Sequence, residues 1–150
     1  MARVDMKMPE EFLLKVSRLA DQTDTIIPKV LEAGGEVVLS KVKSNLRSVI
    51  GRGTKYESRS TGELESALGV TSAKLDRNGD YNVKVGFAEP RRTQSSGGSK
   101  GDSNAKLANI IEYGKHGQPA KPFLKPAKSA SRKECISAMT AKLEEEINKI

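Results

Sequence analysis

Residues 122–127, Pro-Phe-Leu-Lys-Pro-Ala, restrict the fold more than any other stretch of this chain. Two prolines enclose two large apolar side chains, Phe123 and Leu124, just before a long helical pattern. Proline fixes its own φ angle and pushes the preceding residue toward an extended conformation. We therefore expect a stiff joint that buries Phe123 and Leu124 as anchors and starts the C-terminal helix near Pro126. The alternative is a rigid loop that only leads into that helix.

An apolar helical face precedes this joint and ends at a cluster of helix breakers. The face consists of Leu107, Ile110, Ile111 and Tyr113. The breakers are Gly114, Gly117 and Pro119. We interpret Glu112 and Tyr113, at the end of the face, as anchors of the loop that follows.

These motifs resemble the signature of the head–tail joining, or tail-completion, proteins of long-tailed bacteriophages. That family carries an apolar residue, Glu, an aromatic residue and Gly, followed by Pro-Phe-Leu-x-Pro-Ala, and a Thr-Gly-x-Leu helix start further upstream. The corresponding stretches here are residues 111–114, 122–127 and 61–64. The motif residues that the resemblance implies are Thr61, Gly62, Leu64, Glu112, Tyr113, Gly114, Pro122, Phe123, Leu124 and Pro126.

The resemblance implies a structural virion protein that joins the packaged head to the tail as a subunit of an oligomeric ring. Such a protein is made in the host bacterial cytoplasm and resides in the neck of the virion. Its implied partners are further copies of itself, the portal or adaptor protein and the tail-terminator protein, with non-specific contact to packaged DNA. The resemblance implies no catalytic, cofactor or metal site, and it implies no membrane partner.

The length and composition of the chain agree with a single domain over residues 1–150, and the composition limits which residue types can form its core. Apolar residues make up 36% of the chain and aromatic residues only 4%, so we expect a mainly aliphatic core. No apolar run approaches the roughly 18 residues that a membrane span requires. One cysteine excludes an intramolecular disulfide, and a single cysteine with a single histidine does not supply the several Cys or His ligands that a zinc site usually takes.

A formal net charge of +7 favours anionic partners and supports an alternative function, a small basic nucleic-acid-binding protein. The basic residues are scattered among acidic ones, and no aromatic residues interleave with them as stacking platforms. No zinc finger, RNP motif or helix-turn-helix pattern is present in the sequence.

No enzyme motif emerges from the sequence. His116 lies between two glycines, and no motif supplies the nucleophile and orienting acid that a histidine base requires. Cys135 is expected to be a small apolar residue of a helix. Residues 51–55, Gly-Arg-Gly-Thr-Lys, lack the spacing of a phosphate-binding loop and follow a helix rather than a strand.

The first half of the chain predicts a short strand and two helices. Residues 2–8 alternate between apolar and polar side chains, which favours an edge strand. One helix is expected from Pro9 to about Asp21, and a longer one from an Asp24 N-cap to the glycines after Val49. The Gly34-Gly35 pair either breaks the longer helix or allows close packing. We favour close packing, because the apolar period keeps its phase across the pair.

A capping box of Ser60 and Glu63 predicts a short helix over residues 62–68. Residues 70–76 and 81–87 predict a β-hairpin with a three-residue loop that ends at Gly79. This register pairs Leu75 with Tyr81, Ala73 with Val83 and Thr71 with Val85, and it places Gly79 in the left-handed conformation.

The predicted fold class is α+β, with a small antiparallel sheet, formed by the hairpin and the N-terminal strand, packed on a long helix and a C-terminal helix. Residues 88–104 predict a flexible polar loop, either mobile and solvated or an arm that orders on a partner. Its basic residues Arg91, Arg92 and Lys100 are candidates to face DNA or a protein partner.

Overall fold

The computed structural model of the protein describes residues 9–53, 57–58, 60–89 and 103–150. Within these ranges the elements are, in chain order, α1 (Glu10–Val49), α2 (Glu63–Ser66), β1 (Leu68–Val70), β2 (Lys74–Leu75), β3 (Tyr81–Asn82), β4 (Val85–Phe87), α3 (Asn104–Tyr113) and α4 (Leu124–Asn148). A long helix pair and small antiparallel strand pairs confirm the α+β class. The strand predicted over residues 2–8 lies outside the described residues.

α1 is one uninterrupted helix of 40 residues, so the predicted break between Asp21 and Asp24 is wrong. Asp24 does not cap a helix, and its carboxylate accepts a hydrogen bond of 3.2 Å from the Tyr81 hydroxyl group. Pro28 lies inside the helix, where it removes one backbone donor and opposes continuity. Contact with α4 next to this proline, where Lys29 forms an ion pair, supports the helix across it.

The Gly34-Gly35 pair allows close packing on two sides of α1, as the apolar period predicts. A Cβ atom added to Gly34 would lie 2.7 Å from Met139 Cγ on α4. A Cβ atom added to Gly35 would lie 2.9 Å from Val83 Cγ1 and 3.0 Å from Val70 Cγ1. The first glycine therefore brings α4 close to α1, and the second brings the hairpin close.

Replacing Gly35 with alanine is expected to destabilise the protein more than replacing Gly34, although each change raises helix propensity by about 1 kcal/mol. At Gly35 the new methyl group overlaps branched valine side chains, which have few rotamers. At Gly34 it meets Met139, whose flexible side chain can move aside. Since overpacking costs about 1–3 kcal/mol, we expect Gly35→Ala to lower stability and Gly34→Ala to be nearly neutral. Urea denaturation measures both, and equal losses would contradict this explanation.

The loop of the hairpin follows the predicted geometry. Leu75 pairs with Tyr81, which confirms the three-residue loop. The Gly79 N–H donates to the Asp76 carbonyl oxygen at 3.2 Å, and the Asp76 N–H donates to the Asp80 carbonyl oxygen at 2.9 Å. Gly79 has a φ angle of 85°, so the left-handed residue of a type I turn with a bulge is confirmed.

Farther from the loop, the predicted register is wrong by one residue. Val70 rather than Thr71 pairs with Val85, and the predicted pairing of Ala73 with Val83 is not formed. Between the two paired stretches, the first side of the hairpin has three residues and the second side has two. This extra residue is a β-bulge, which shifts the side chains that follow to the other register.

A contact with α1 accounts for the bulge. The Ala73 N–H donates to Glu32 Oε1 of α1 at 3.0 Å instead of to the opposite strand. The Thr71 hydroxyl oxygen accepts from the Lys84 N–H at 3.0 Å. Side chains thus accept hydrogen bonds from backbone N–H groups that would donate to the opposite strand in a regular antiparallel pair. Strand periodicity alone does not predict such side-chain acceptors.

The helix boundaries after α1 differ from the prediction in two places. α2 begins after Gly62, which has a φ angle of 77° and is the N-cap in place of Ser60, so the Ser60 and Glu63 capping box is wrong. The Ser60 hydroxyl oxygen accepts from the Gly62 N–H at 3.4 Å instead. α4 begins at Leu124, two residues before Pro126, and Pro126 lies in its first turn, where a missing N–H costs little.

The core is aliphatic apart from one phenylalanine, and it lies where α1, the hairpin and the starts of α2 and α4 meet. Its buried members are Leu39, Val42, Leu46, Leu64, Leu68, Ala108, Phe123 and Ala127. Every helix of the described chain contributes to this cluster. It therefore fixes the N-terminus of α4 next to the C-terminal half of α1.

The two ends of the predicted polar loop are hydrogen-bonded to each other. Asn104 Nδ2 donates to the Ala88 carbonyl oxygen at 2.8 Å, and the Ala105 N–H donates to Glu89 Oε1 at 2.8 Å. Residues 90–102 between them lie outside the described residues. The fold therefore fixes where this segment leaves the domain and where it returns.

Candidate functional site

The Glu112 carboxylate caps α4 from the last turn of α3. The first backbone N–H groups of a helix lack partners within the helix, and the residue before α4, Phe123, offers no capping side chain. Glu112 Oε2 accepts from the Phe123 and Leu124 N–H groups at 2.7 and 2.8 Å. Its Oε1 accepts from the Lys125 N–H at 3.0 Å. We call this arrangement the Glu112 cap.

The Glu112 cap holds a charge in the protein interior, because only 2% of this residue is exposed. Burial raises the pKa of Glu112, whereas the hydrogen bonds from the Leu124, Phe123 and Lys125 N–H groups and the charge of Lys125 lower it. The lowering effects prevail, so the pKa lies below its ordinary value. The carboxylate therefore stays ionised and its negative charge meets the positive end of the α4 dipole.

A tight turn brings the chain back from α3 to the Glu112 cap. Gly114 ends α3 with a φ angle of 77°, and an added Cβ atom would lie 2.7 Å from the Ala120 backbone nitrogen. The turn closes by hydrogen bonds between Lys115 and Gln118. The Lys121 N–H then donates to the Ile111 carbonyl oxygen at 2.7 Å. Only glycine fits at position 114, because both the φ angle and the close backbone exclude a side chain.

Phe123 is fully buried directly beside the Glu112 cap. Its ring meets the Phe87 ring edge to face, with 6.4 Å between the centroids and 73° between the planes. Asn45 Nδ2 of α1 donates to the Phe123 carbonyl oxygen at 3.2 Å. One residue thus links α1, β4 and the N-terminus of α4.

The other residues of this motif are less buried. Leu124 is half-buried, and Pro122 and Pro126 are exposed. Tyr113 is 63% exposed, and Lys125 Nζ lies 5.2 Å from the centre of its ring, within the range of a cation–π contact. The aromatic ring of Tyr113 therefore faces outward from the domain.

The upstream motif residues lie beside the same core. Thr61 and Gly62 are exposed, and Leu64 is buried. All three line an open cavity of about 230 Å³ between the end of α1, the start of α2 and α3, which we call the α2 groove. Its apolar walls are Val49, Ile50, Leu64, Leu107 and Ile111. Both sequence motifs therefore meet in one region, whereas Arg91, Arg92 and Lys100 lie outside the described residues.

The opposite end of α1 exposes large apolar side chains. Phe12, Leu13, Leu14 and Val16 are 51%, 51%, 53% and 46% exposed, and we call these four residues the apolar end of α1. The spacing of Phe12, Leu13 and Val16 predicts one apolar helical stripe that packs on the core, but the structure leaves all three exposed. Leu14 lies about 200° around the helix from Phe12 and therefore outside this stripe, which indicates in the sequence that not all of these side chains can pack on one surface.

Glu146 of α4 is a second buried carboxylate that the sequence did not reveal. Glu146 is 6% exposed. Its carboxylate oxygens lie 2.8 Å from Lys149 Nζ, 2.8 Å from Nζ of Lys29 on α1 and 3.3 Å from Lys142 Nζ. Hydrogen bonds from Lys149 and Lys29 lower the pKa of Glu146 to about 2, against the effect of burial. These lysines offset the unfavourable position of an acid near a helix C-terminus.

Both buried carboxylates predict a loss of stability in acid. Each has a folded-state pKa below the ordinary value of 4.5, so its stabilisation is present above that value and is lost as the pH falls through the folded-state pKa, which for Glu146 is about 2. We expect the urea midpoint to fall over this range. In Glu146→Gln the decline should be shallower, whereas Glu144→Gln, at an exposed neighbouring position, should keep the parent slope. Parallel slopes for the parent and Glu146→Gln would contradict the assignment.

The described residues contain no group of three or more His, Cys, Asp or Glu side chains that could hold a metal ion. None of the helices in the described ranges is both long enough and apolar enough to cross a membrane. His116 is exposed in the turn after α3. Cys135 is half-buried, with its Sγ 3.8 Å from Met139 Sδ.

Comparison with known proteins identifies the family. A family described as "Bacteriophage HK97-gp10, putative tail-component" matches residues 10–114, which is more than two thirds of the chain. The match includes the upstream motif and the Glu112–Gly114 end of α3, and it stops before Pro122. Neither the curated proteins nor the solved structures gave a match. The chain therefore belongs to the HK97-gp10-like family of bacteriophage tail components, which are structural proteins of the phage particle.

Proposed function

We propose that this protein is a structural subunit of the phage head–tail junction, where it forms an oligomeric ring and catalyses no reaction. The apolar end of α1 carries this proposal. Four large apolar side chains, each about half exposed, stand next to one another on one helix end. Clustered exposed apolar surface of this kind marks a site of protein–protein contact.

The strand pairs give a second reason for assembly. β1 pairs with β4 and β2 with β3, so each described strand has one paired and one unpaired side. Unpaired strand edges must be covered, blocked or paired with another chain. Head-to-tail contact between identical subunits is heterologous and closes into a ring when the rotation permits. The portal or adaptor protein and the tail-terminator protein would then contact the two faces of the ring.

The positive charge fits a position around the packaged DNA. A net charge of +7 favours contact with phosphates, and Arg91, Arg92 and Lys100 would make that contact without reading sequence. The alternative function, a small basic nucleic-acid-binding protein, rests on the same charge. A ring subunit should bind free DNA weakly, with an affinity that depends steeply on salt.

Deletion of the gene from the phage tests the proposed function. We expect electron microscopy to show filled heads and tails that remain separate, and labelled protein in complemented particles to lie at the neck. Normally joined particles without the protein, or its absence from the neck, would overturn the proposal. Tight DNA binding by a protein absent from virions would favour the nucleic-acid alternative.

A further inference from the structure

We propose that the first half of α4 binds the phosphate backbone of duplex DNA through one exposed face, formed by Lys125, Lys128 and Arg132. We call these three residues the basic face of α4. The inference rests on the proposed position around packaged DNA and deepens it, because it names described residues that make the contact. It commits to one partner for this face, the phosphates of a DNA strand.

The positive charge of the chain is concentrated before and at the start of α4. Residues 113–133 contain no Asp or Glu and six basic residues, which are Lys115, Lys121, Lys125, Lys128, Arg132 and Lys133. Residues 134–150 contain four Glu and two Lys. The first half of α4 is therefore positive, whereas its second half carries a small negative charge.

The spacing of the basic face matches a row of phosphates. Lys125, Lys128 and Arg132 are three and four residues apart, so they lie on one side of the helix, and all three are exposed. At a rise of 1.5 Å per residue, Lys125 and Arg132 are about 10 Å apart along the axis. A DNA strand carries one phosphate per roughly 3.4 Å of its axis, which gives about three phosphates over that length.

The charges of the basic face are available to a partner. In the described ranges, no carboxylate lies within ion-pair distance of Lys128 or Arg132. Lys125 Nζ lies 5.2 Å from the centre of the exposed Tyr113 ring. Glu112 attracts Lys125, but this carboxylate is 2% exposed and accepts three backbone N–H groups in the Glu112 cap. It therefore leaves the surface positive.

Other acids near the start of α4 lie away from the basic face. Glu134 is about 180° around the helix from Lys125, and it lines a cavity with Lys41 of α1. Lys121 is not part of the basic face, because it shares the α2 groove with Glu63. The basic face is thus bounded by these acids but contains none.

A DNA backbone fits this face better than a second copy of the chain does. The acids in the second half of α4 are largely paired within the molecule, since Glu145 pairs with Lys142 and Lys149, and Glu146 pairs with Lys29. A second copy therefore offers few unpaired carboxylates in a row. Phosphates form such a row in any sequence, and contacts to them position a protein without reading bases.

The salt dependence of DNA binding by the purified full-length protein tests the inference. Fluorescence anisotropy with a short labelled duplex of mixed sequence gives the affinity between about 50 and 200 mM salt. A variant that combines Lys125→Gln, Lys128→Gln and Arg132→Gln should bind at least about tenfold more weakly at the lower salt concentration. The slope of log affinity against log salt should fall by about 3, or about 1 for each lost phosphate contact.

The matched control combines Lys15→Gln, Arg18→Gln and Lys74→Gln. It removes the same charge from exposed positions on the first turns of α1 and on the hairpin. Because screening limits the effect of distant charges, its affinity should stay within about threefold of the parent and its slope should not change. If the triple variant of the basic face does not fold, Lys128→Gln and Arg132→Gln are measured singly, and each should lower the slope by about 1.

Three results would overturn the inference. The first is the absence of measurable DNA binding by the parent at about 50 mM salt. The second is an equal loss of affinity in the basic-face variant and the control, which would indicate that only net charge matters. The third is parental DNA affinity in the basic-face variant together with lost self-association in sedimentation, which would assign this face to a second copy of the chain.

The outcome is separable from the location of the protein in the virion. Loss of DNA binding in the basic-face variant of a protein that is absent from the neck would support this contact and refute the head–tail function. A protein found at the neck whose basic-face variant binds DNA as the parent does would support the function and refute this contact.

Discussion

Replacing Phe123 with alanine is expected to lower the free energy of unfolding by roughly 3–5 kcal/mol. The side chain is fully buried, and its ring packs edge to face on Phe87. Truncation leaves a cavity at the point where α1, β4 and α4 meet, and the surrounding elements can collapse only in part. Urea denaturation with a circular dichroism readout measures the loss.

Tyr113→Ala is the matched control for the Phe123 variant. It removes an aromatic ring from the same motif at a position that is 63% exposed, so stability should change by less than about 1 kcal/mol. A loss below about 1 kcal/mol for Phe123→Ala would mean that residues 122–127 are only a linker. The two variants together therefore separate burial from aromatic character.

Replacing Glu112 with alanine is expected to cost about 3 kcal/mol, because three backbone N–H groups at the start of α4 lose a charged acceptor in a buried setting. Glu112→Gln should cost about half as much, since one amide oxygen can still accept two of these bonds while the amide nitrogen faces a donor. Amide hydrogen exchange should show faster exchange in the first turn of α4.

Glu134→Ala provides the control for the Glu112 variants. Glu134 is an exposed acid on α4, the helix that Glu112 caps, and its removal should change stability by less than about 0.5 kcal/mol. If Glu112→Ala unfolds at the same urea concentration as the parent, the Glu112 cap does not stabilise the start of α4. Unchanged exchange in that turn would lead to the same conclusion.

The Glu112 cap gives a physical reason for the order of residues in the motif. Glu112 supplies the cap, Gly114 permits the return turn, and Phe123 fills the core at the place where the capped helix begins. Each residue places the next within reach. The joint therefore works as one unit, and we expect changes at Glu112 and Phe123 to be coupled rather than additive.

Local patterns in the sequence predicted several of these features. Two prolines around Phe123 indicated a stiff joint, and the glycine of the hairpin loop indicated the left-handed turn residue at Gly79. The phase of the apolar pattern across Gly34 and Gly35 indicated close packing rather than a break. In each case the physical cause lies within a few residues, so a single sequence contains it.

The features that the sequence did not reveal depend on distant residues. α1 continues through Pro28 with α4 packed beside it, and the hairpin bulges where Glu32 captures a strand N–H. Glu146 is buried because Lys29, 117 positions away, meets it. No local pattern specifies which carboxylate will cap which helix. From the sequence, Glu112 could therefore be expected only to anchor the loop that follows it, not to cap α4.

The structural role at the head–tail junction is tested most directly by titrating the purified protein into heads and tails from the deletion phage. Joined particles should increase in proportion to the protein added and level off at a fixed number of copies per particle, and the protein should remain in the purified particles. Restoration by far less than one copy per particle, or joined particles that do not retain the protein, would contradict a structural ring.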